Sequence, residues 1–140
     1  MNSFVIDCST TMSLFLPDER EVNYTDIIFK QLKDNSCVVP SIWSYETTNV
    51  LLSCKKRNRL DDRQINDIAN LINKLPIVID NNNFAFIVKN VLDIAIDNEL
   101  SIYDASYIEL AKRLNCPLAT LDKKLANIAN KLSIHVICEV

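Results

Sequence analysis

Apolar residues fall along this chain in two rhythms. Phe4 to Ile6, Cys37 to Val39, Ile77 to Ile79, Leu118 to Leu121 and Val136 to Ile137 are short continuous runs rich in β-branched residues. Runs without polar alternation predict strands covered on both faces, so five buried strands are expected. Between them apolar residues recur at helical spacing: Ile27, Ile28 and Leu32; Val50, Leu51 and Cys54; Ile65, Ile68 and Ile72; Val88, Val91, Leu92 and Ala95; Ile108, Ala111 and Leu114. That period belongs to helices burying one side. Strands and helices alternate, with crossovers long enough to be helical, which predicts a three-layer α/β/α sandwich on a mainly parallel five-stranded sheet. Asp61 stands where it caps the helix carrying Ile65, Asn81 to Asn83 has the chemistry of a loop, and Asn115 occupies a left-handed helix-end position.

Composition narrows the field. At 140 residues, 49% hydrophobic and 24% charged, the chain is expected to form one domain over residues 1–140 with a sizeable core. No apolar run approaches the roughly 18 residues of a membrane span, and the start, Met1 to Asp7, lacks a signal-peptide pattern, so a soluble cytoplasmic protein is expected. The five cysteines, Cys8, Cys37, Cys54, Cys116 and Cys138, form no C-x-x-C pair, and buried free thiols are expected. A net charge of −3 argues against a broad basic coat for nucleic acid, though a local strip remains open. With no glycine in the chain, a glycine-rich phosphate loop and a dinucleotide fingerprint are excluded.

The candidate chemistry lies in four carboxylates. Asp7 follows the first strand run and Asp122 the fourth, while Glu46 and Asp104 are expected in the first turns of helices opening after Pro40-Ser41 and after Ser101. Ligand sites of parallel sheets form beyond the carboxyl ends of the strands, so all four can face one edge. Converging carboxylates repel unless a cation sits among them, and oxygen ligands without histidine suit Mg²⁺ or Mn²⁺. Such ions activate water and offset charge on phosphate oxygens, the needs of phosphodiester hydrolysis. Taken singly, each of these acids reads more readily as a helix cap or a first-turn acid than as a ligand.

Their company changes the reading. Val5-Ile6-Asp7-Cys8-Ser9, running on to Phe15-Leu16-Pro17-Asp18-Glu19, resembles the opening of PIN domains of the VapC toxin group. Pro40 to Glu46 with Asn49-Val50-Leu51 resembles that group's second acidic motif, Tyr103-Asp104-Ala105-Ser106-Tyr107 with Glu109-Leu110-Ala111 its third, and Pro117 to Asp122 with Leu125 its fourth. The motifs come in family order from Val5 to Leu125; Asn115 and Ser133 stand where relatives often carry glycine. The resemblance implies a ribonuclease whose Mg²⁺ or Mn²⁺ is held by Asp7, Glu46, Asp104 and Asp122. It implies Ser9 and Thr120 as hydroxyl partners and Asn49 beside the second acid. It further implies RNA as substrate, a cognate antitoxin that wraps the chain, and a homodimer.

Other residues carry less. Short hydroxyls beside carboxylates orient them, but Ser9 and Thr10 read equally as helix-capping residues. His135, the single histidine, has no partner for general-base work and is expected to be structural. Trp43 is expected in the core, while Tyr45, Tyr103 and Tyr107 flank the acids and could stack on unpaired bases. Lys55, Lys56, Arg57 and Arg59 form the densest basic group, with Lys123 and Lys124 and with Lys112 and Arg113 as further groups; each suits RNA phosphates or merely a helix end. A haloacid-dehalogenase-like phosphatase would need a second aspartate where Ser9 stands. A receiver-like module would cluster acids at the first strand, where Asp7 is alone, and a non-catalytic PIN relative would usually lack one of the acids.

Overall fold

The computed structural model describes residues 2–16 and 22–137. Pro17, Asp18 and Glu19 of the first motif, and Cys138, lie outside them. The elements are β1 (Ser3–Ile6), α1 (Cys8–Ser13), α2 (Val22–Asp34), β2 (Ser36–Pro40), α3 (Ile42–Lys56), α4 (Asp62–Asn73), β3 (Ile77–Asp80), α5 (Phe84–Asn90), α6 (Leu92–Asn98), α7 (Ile102–Leu114), β4 (Leu118–Ala119), α8 (Lys123–Lys131) and β5 (Val136–Ile137).

The strands form one sheet, ordered β3-β2-β1-β4-β5, in which every neighbouring pair is parallel. β1 is central, and Phe4, Val5 and Ile6 are each at most 1% exposed. A strand covered by helices on both sides demands such an unbroken apolar run. α7 packs across β1, β2 and β4 and brings Tyr107, Ile108, Leu110 and Ala111 into the main core; α2 adds Tyr24, Ile28 and Leu32, and α8 adds Leu125 and Ala129. A second cluster, including Met12, Leu51, Cys54 and Ile68, ties α1 to α3 and α4. The architecture is the expected α/β sandwich, with helices on both sides of the sheet. None of the described helices is long and apolar enough to cross a membrane.

Three local expectations are corrected. β3 is not a buried strand: it has one neighbour, and Val78 is 57% and Ile79 42% exposed. Its β-branched residues make it a strand, but burial depends on its place at the sheet edge, which the run does not encode. The Leu118 to Leu121 run pairs only through Leu118 and Ala119, because Thr120 is drawn into side-chain bonding and Leu121 leads out to α8. The apolar spacing from Val88 to Ala95 spans two helices that meet at the buried Val91.

The cap expectations hold. Asp61 and Gln64 form a reciprocal capping box on α4, and Asn83, ending the Asn81 to Asn83 loop, caps α5. Lacking glycine, the described chain turns left-handed at Asn58, Glu99, Asn115 and Ser133. Asn115 and Ser133 thus take the left-handed conformation that glycine adopts most easily. Asparagine tolerates it, whereas a Cβ on Glu or Ser costs roughly 1–2 kcal/mol there. Glu99→Gly and Ser133→Gly are therefore expected each to raise unfolding free energy by about 0.5–1 kcal/mol in urea titrations, after the entropy glycine adds to the unfolded chain. Asn115→Gly should change less.

Cys8, Cys37, Cys54 and Cys116 form no disulfide, and Cys8 and Cys116 are only partly buried, against the expectation of buried thiols. Cys37 and Cys54 are buried, and burial pushes the Cys37 thiol up to about 12, leaving it inert.

Candidate active site

Sheet register fixes the first contact. Val5 lies beside Leu118 and Ile6 beside Ala119, so one step beyond the paired residues Asp7 meets Thr120. The chain winds outward from β1 to β2 and β3, then returns to place β4 and β5 on the other side of β1. The crevice between β1 and β4 is therefore the topological switch point, where parallel sheets open for ligands.

Asp7 is buried there and held by three donors. Its Oδ2 accepts from Thr120 Oγ at 2.5 Å, and its Oδ1 from Ser9 Oγ at 3.0 Å and the Thr10 N–H at 2.9 Å. Asp7 is also the N-cap of α1, so the cap reading holds for it. Its carbonyl accepts from Thr11 Oγ at 2.8 Å, and that oxygen accepts from Trp43 Nε1 at 3.0 Å. This relay docks α1 on α3 and accounts for Trp43 in the core, 7% exposed.

Thr120 links the second acid. Its oxygen accepts the Asp122 N–H at 3.0 Å, while the Asp122 carboxylate caps α8 by accepting from the Leu125 N–H at 3.1 Å.

Glu46 arrives from α3. The helix already begins at Ile42, which places Glu46 in its second turn and corrects the expected first-turn position. Its Oε1 accepts from the Tyr107 hydroxyl at 2.7 Å. Tyr107 is 1% exposed, so it cannot offer a face to RNA as expected; its ring packs in the core and its hydroxyl orients Glu46. Burial, then the Glu46 carboxylate, holds that phenol protonated. Asp104 stands in the first turn of α7, its N–H donating at 3.1 Å to the Ser101 Oγ that caps the helix.

The acids sense one another. Burial raises Asp7 above the ordinary carboxylate range, against hydrogen bonds from Thr120, Thr10 and Ser9. Glu46 is raised by burial and by the charges of Asp104 and Asp7, with the Tyr107 bond opposing. Asp104 is raised by burial and by Asp122 and Asp7, with Lys124 opposing. The structure therefore gathers Asp7, Glu46, Asp104 and Asp122 into one negative cluster.

Raised folded values mean that protons bind more tightly to the folded state. For Asp7, Glu46 and Asp104 the favourable contribution is complete below the ordinary values of 3.8 and 4.5 and is lost as pH rises through the raised folded values. The melting temperature in EDTA is thus expected to rise as pH is lowered from neutral toward the ordinary carboxylate range. A melting temperature that only falls over that interval would contradict the clustering.

These residues fit a hard divalent cation. The donors are carboxylate oxygens, and among the described residues Lys124 is the cation that offsets Asp104, so negative charge is in surplus there. Among the described residues no three side chains close as a ready-made ligand cage.

The other candidates are scattered. Asn49 is exposed on α3 one turn beyond Glu46. Lys55, Lys56, Arg57 and Arg59 lie exposed at or beyond the far end of α3, with Lys55 about 14 Å along the axis from Glu46 at 1.5 Å per residue; Lys55 pairs with Asp62 at 2.6 Å. Lys123 and Lys124 open α8 beside Asp122, and Lys124 donates to the Glu99 carbonyl at 2.9 Å. Lys112 is exposed, and Arg113 is engaged by Glu109 and Asp80. His135 is exposed beside β5, and its carbonyl accepts the Leu118 N–H. Sequence reasoning missed Thr11 as a link and Tyr107 as the partner of Glu46. Its position three residues after Asp104, on the same face of α7, was the available signal.

Fold and site define a class: three-layer parallel α/β proteins with an acidic cluster at the switch point of the sheet. The PIN domain family model matches residues 4–131, and the chain belongs to that family. A curated relative, Ribonuclease VapC3 of Pyrobaculum aerophilum, is 23% identical over 122 residues, covering 87% of this chain and 91% of its own. PAE2754 from Pyrobaculum aerophilum shares the fold at TM-score 0.64 and 20% identity, over 91% of this chain and 79% of that one. VapBC2 from Rickettsia felis, bound to a DNA fragment from their promoter, does so at TM-score 0.67 and 15% identity, over 96% and 97%. FitAcB from Neisseria gonorrhoeae does so at TM-score 0.62 and 14% identity, over 97% of each chain.

Proposed function

We propose that this chain is a Mg²⁺- or Mn²⁺-dependent endoribonuclease, a single PIN domain over residues 1–140 whose catalytic and metal-holding acids are Asp7, Glu46, Asp104 and Asp122. The observation that carries the reading is the mutual charge coupling of acids drawn from the ends of β1 and β4 and the early turns of α3 and α7. The cation, when bound, supplies the positive charge that activates a water nucleophile and offsets charge building on phosphate oxygens. Ser9, the Thr10 N–H and Thr120 fix the Asp7 carboxylate in one orientation. Tyr107 fixes one oxygen of Glu46, leaving the other free to serve the site. Asn49 stands one turn away, within reach of a strand that crosses Glu46. Lys123 and Lys124 meet RNA phosphates beside the acids, while Lys55, Lys56, Arg57 and Arg59 hold the strand farther out.

The motif resemblance, the relative named Ribonuclease VapC3 and the likeness to VapBC2 support a toxin with a cognate antitoxin; the homodimer rests on the motif resemblance alone, and action in the cytoplasm on the sequence reading. An acidic cluster is a natural socket for an antitoxin arginine or lysine. The deciding experiment incubates single-stranded RNA with purified protein in Mg²⁺, in Mn²⁺ and in excess EDTA. Cleavage is expected with either ion and none in EDTA. Cleavage that persists in EDTA, with contaminating nucleases excluded, defeats the metal reading, and no cleavage under any condition defeats the ribonuclease reading.

A further inference from the structure

A cavity of about 230 Å³ opens alongside the acids without including them. Its walls come from the early turns of α3 and α7, through Ile42 and Tyr45 and through Ile102 and Tyr103, and from Phe86 and Val91 across from them. Tyr45 immediately precedes Glu46, and Tyr103 immediately precedes Asp104. Successive helix residues point about 100° apart, so two helices that aim their acids at the switch crevice aim the preceding tyrosines at this cavity. Tyr45 is 77% and Tyr103 56% exposed, leaving two aromatic rings free at the mouth.

The chemistry of the cavity selects its occupant. Among the described residues no lysine or arginine lines it, and its two acids, Asp80 and Glu109, are both engaged by Arg113. Arg113, the cation set against this lining among the described residues, is taken up by those two acids, so a phosphate finds little to bind, whereas an uncharged planar ring finds apolar walls and aromatic faces. The volume lies below the roughly 300–1,000 Å³ of ordinary ligand pockets and suits a single ring system. Because the cavity shares its helical turns with the acids, a strand with a phosphate at the acids has its neighbouring base beside the opening.

Building on the ribonuclease reading, we propose that this cavity is a nucleobase subsite: an unpaired base next to the scissile phosphate leaves its stack and lodges there, flanked by Tyr45 and Tyr103. The substrate is then single-stranded or looped RNA, because a base held in a duplex cannot be withdrawn without breaking its pair.

The test uses a short single-stranded RNA cut at one position and a set of copies in which an abasic nucleotide is moved along the strand. Wild-type protein is expected to lose about tenfold or more in kcat/KM at one abasic position next to the cut, the scale of base-on-aromatic stacking. Tyr45→Ala/Tyr103→Ala should cleave intact RNA as slowly as wild type cleaves that abasic copy, with no further loss when the two changes are combined. Tyr45→Phe/Tyr103→Phe keeps the rings and should match wild type. Cleavage indifferent to every abasic position, or losses that add fully, overturns the subsite while the ribonuclease reading stands. Absence of cleavage by wild type overturns both. If the alanine variant sediments as a smaller species and slows equally on all RNAs, the patch is an interface between copies and the subsite is refuted.

Discussion

Asp7→Asn is expected to lower RNA cleavage in Mg²⁺ by at least about 100-fold, the upper range for disturbing groups that merely support a metal ligand, while the metal-free protein melts no lower than wild type. The substitution keeps the shape. The remaining amide oxygen can take the Thr10 N–H and Ser9 Oγ, and Thr120, a hydroxyl with two acceptor sites, can receive the new N–H. What disappears is a buried negative charge that burial already disfavours and that raises Glu46 and Asp104. Removing it relieves strain kept for function, so activity and stability should move apart. Kinetics at saturating Mg²⁺ beside calorimetric melting in EDTA make the comparison. Near wild-type turnover would reduce Asp7 to the cap of α1.

Arg113→Ala is expected to lower unfolding free energy by about 2–3 kcal/mol. The guanidinium reaches Glu109 and Asp80 at 2.6 Å each and lies 5.1 Å from the centre of the Phe86 ring, tying α7 to the end of β3 and to α5. Glu109 is only 8% exposed at its side chain, and its loss of partner strands a desolvated carboxylate. Breaking a fully buried pair costs roughly 3–5 kcal/mol, and the 35% exposure of Arg113 admits water that trims the figure. Adding Glu109→Gln to the Arg113→Ala protein should recover part of the loss, since a neutral amide tolerates the site better. Urea titrations of the three proteins decide it. A loss below about 0.5 kcal/mol in Arg113→Ala would mark these contacts as ordinary surface pairing.

Much of the fold was legible because it is written in nearest-neighbour chemistry. The continuous Phe4 to Ile6 run marks a strand covered on both sides, and the Asp61 and Asn115 caps follow from local hydrogen bonding and backbone preference. Sheet order was not legible: the spacing of five runs is the same whether β3 or β1 lies at the centre, and so the exposure of β3 escaped notice. α1 was equally hidden, being six residues of Cys, Ser, Thr and Met held by the Asp7 cap rather than by an apolar stripe. At the site, the four acids could be nominated from strand ends and helix starts. Their partners could not, because the bond from Tyr107 to Glu46 and the Trp43 and Thr11 relay join residues brought together only by packing. The basic strip from Lys55 to Arg59 is conspicuous in sequence, but its distance from the acids, at or beyond the far end of α3 from Glu46, is set by the length of the helix.

The bond between Asp7 and Thr120 joins positions 113 residues apart. Contacts of such separation form late, because the chain must close a long loop before they repay its entropy. On a ribosome, β1 and its aspartate emerge well before β4, and Asp7 lacks its hydroxyl partner until β4 has docked against β1. The acidic cluster is thus a property of the finished molecule, and a nascent chain stalled before Asp104 carries half of the acids with nothing to gather them.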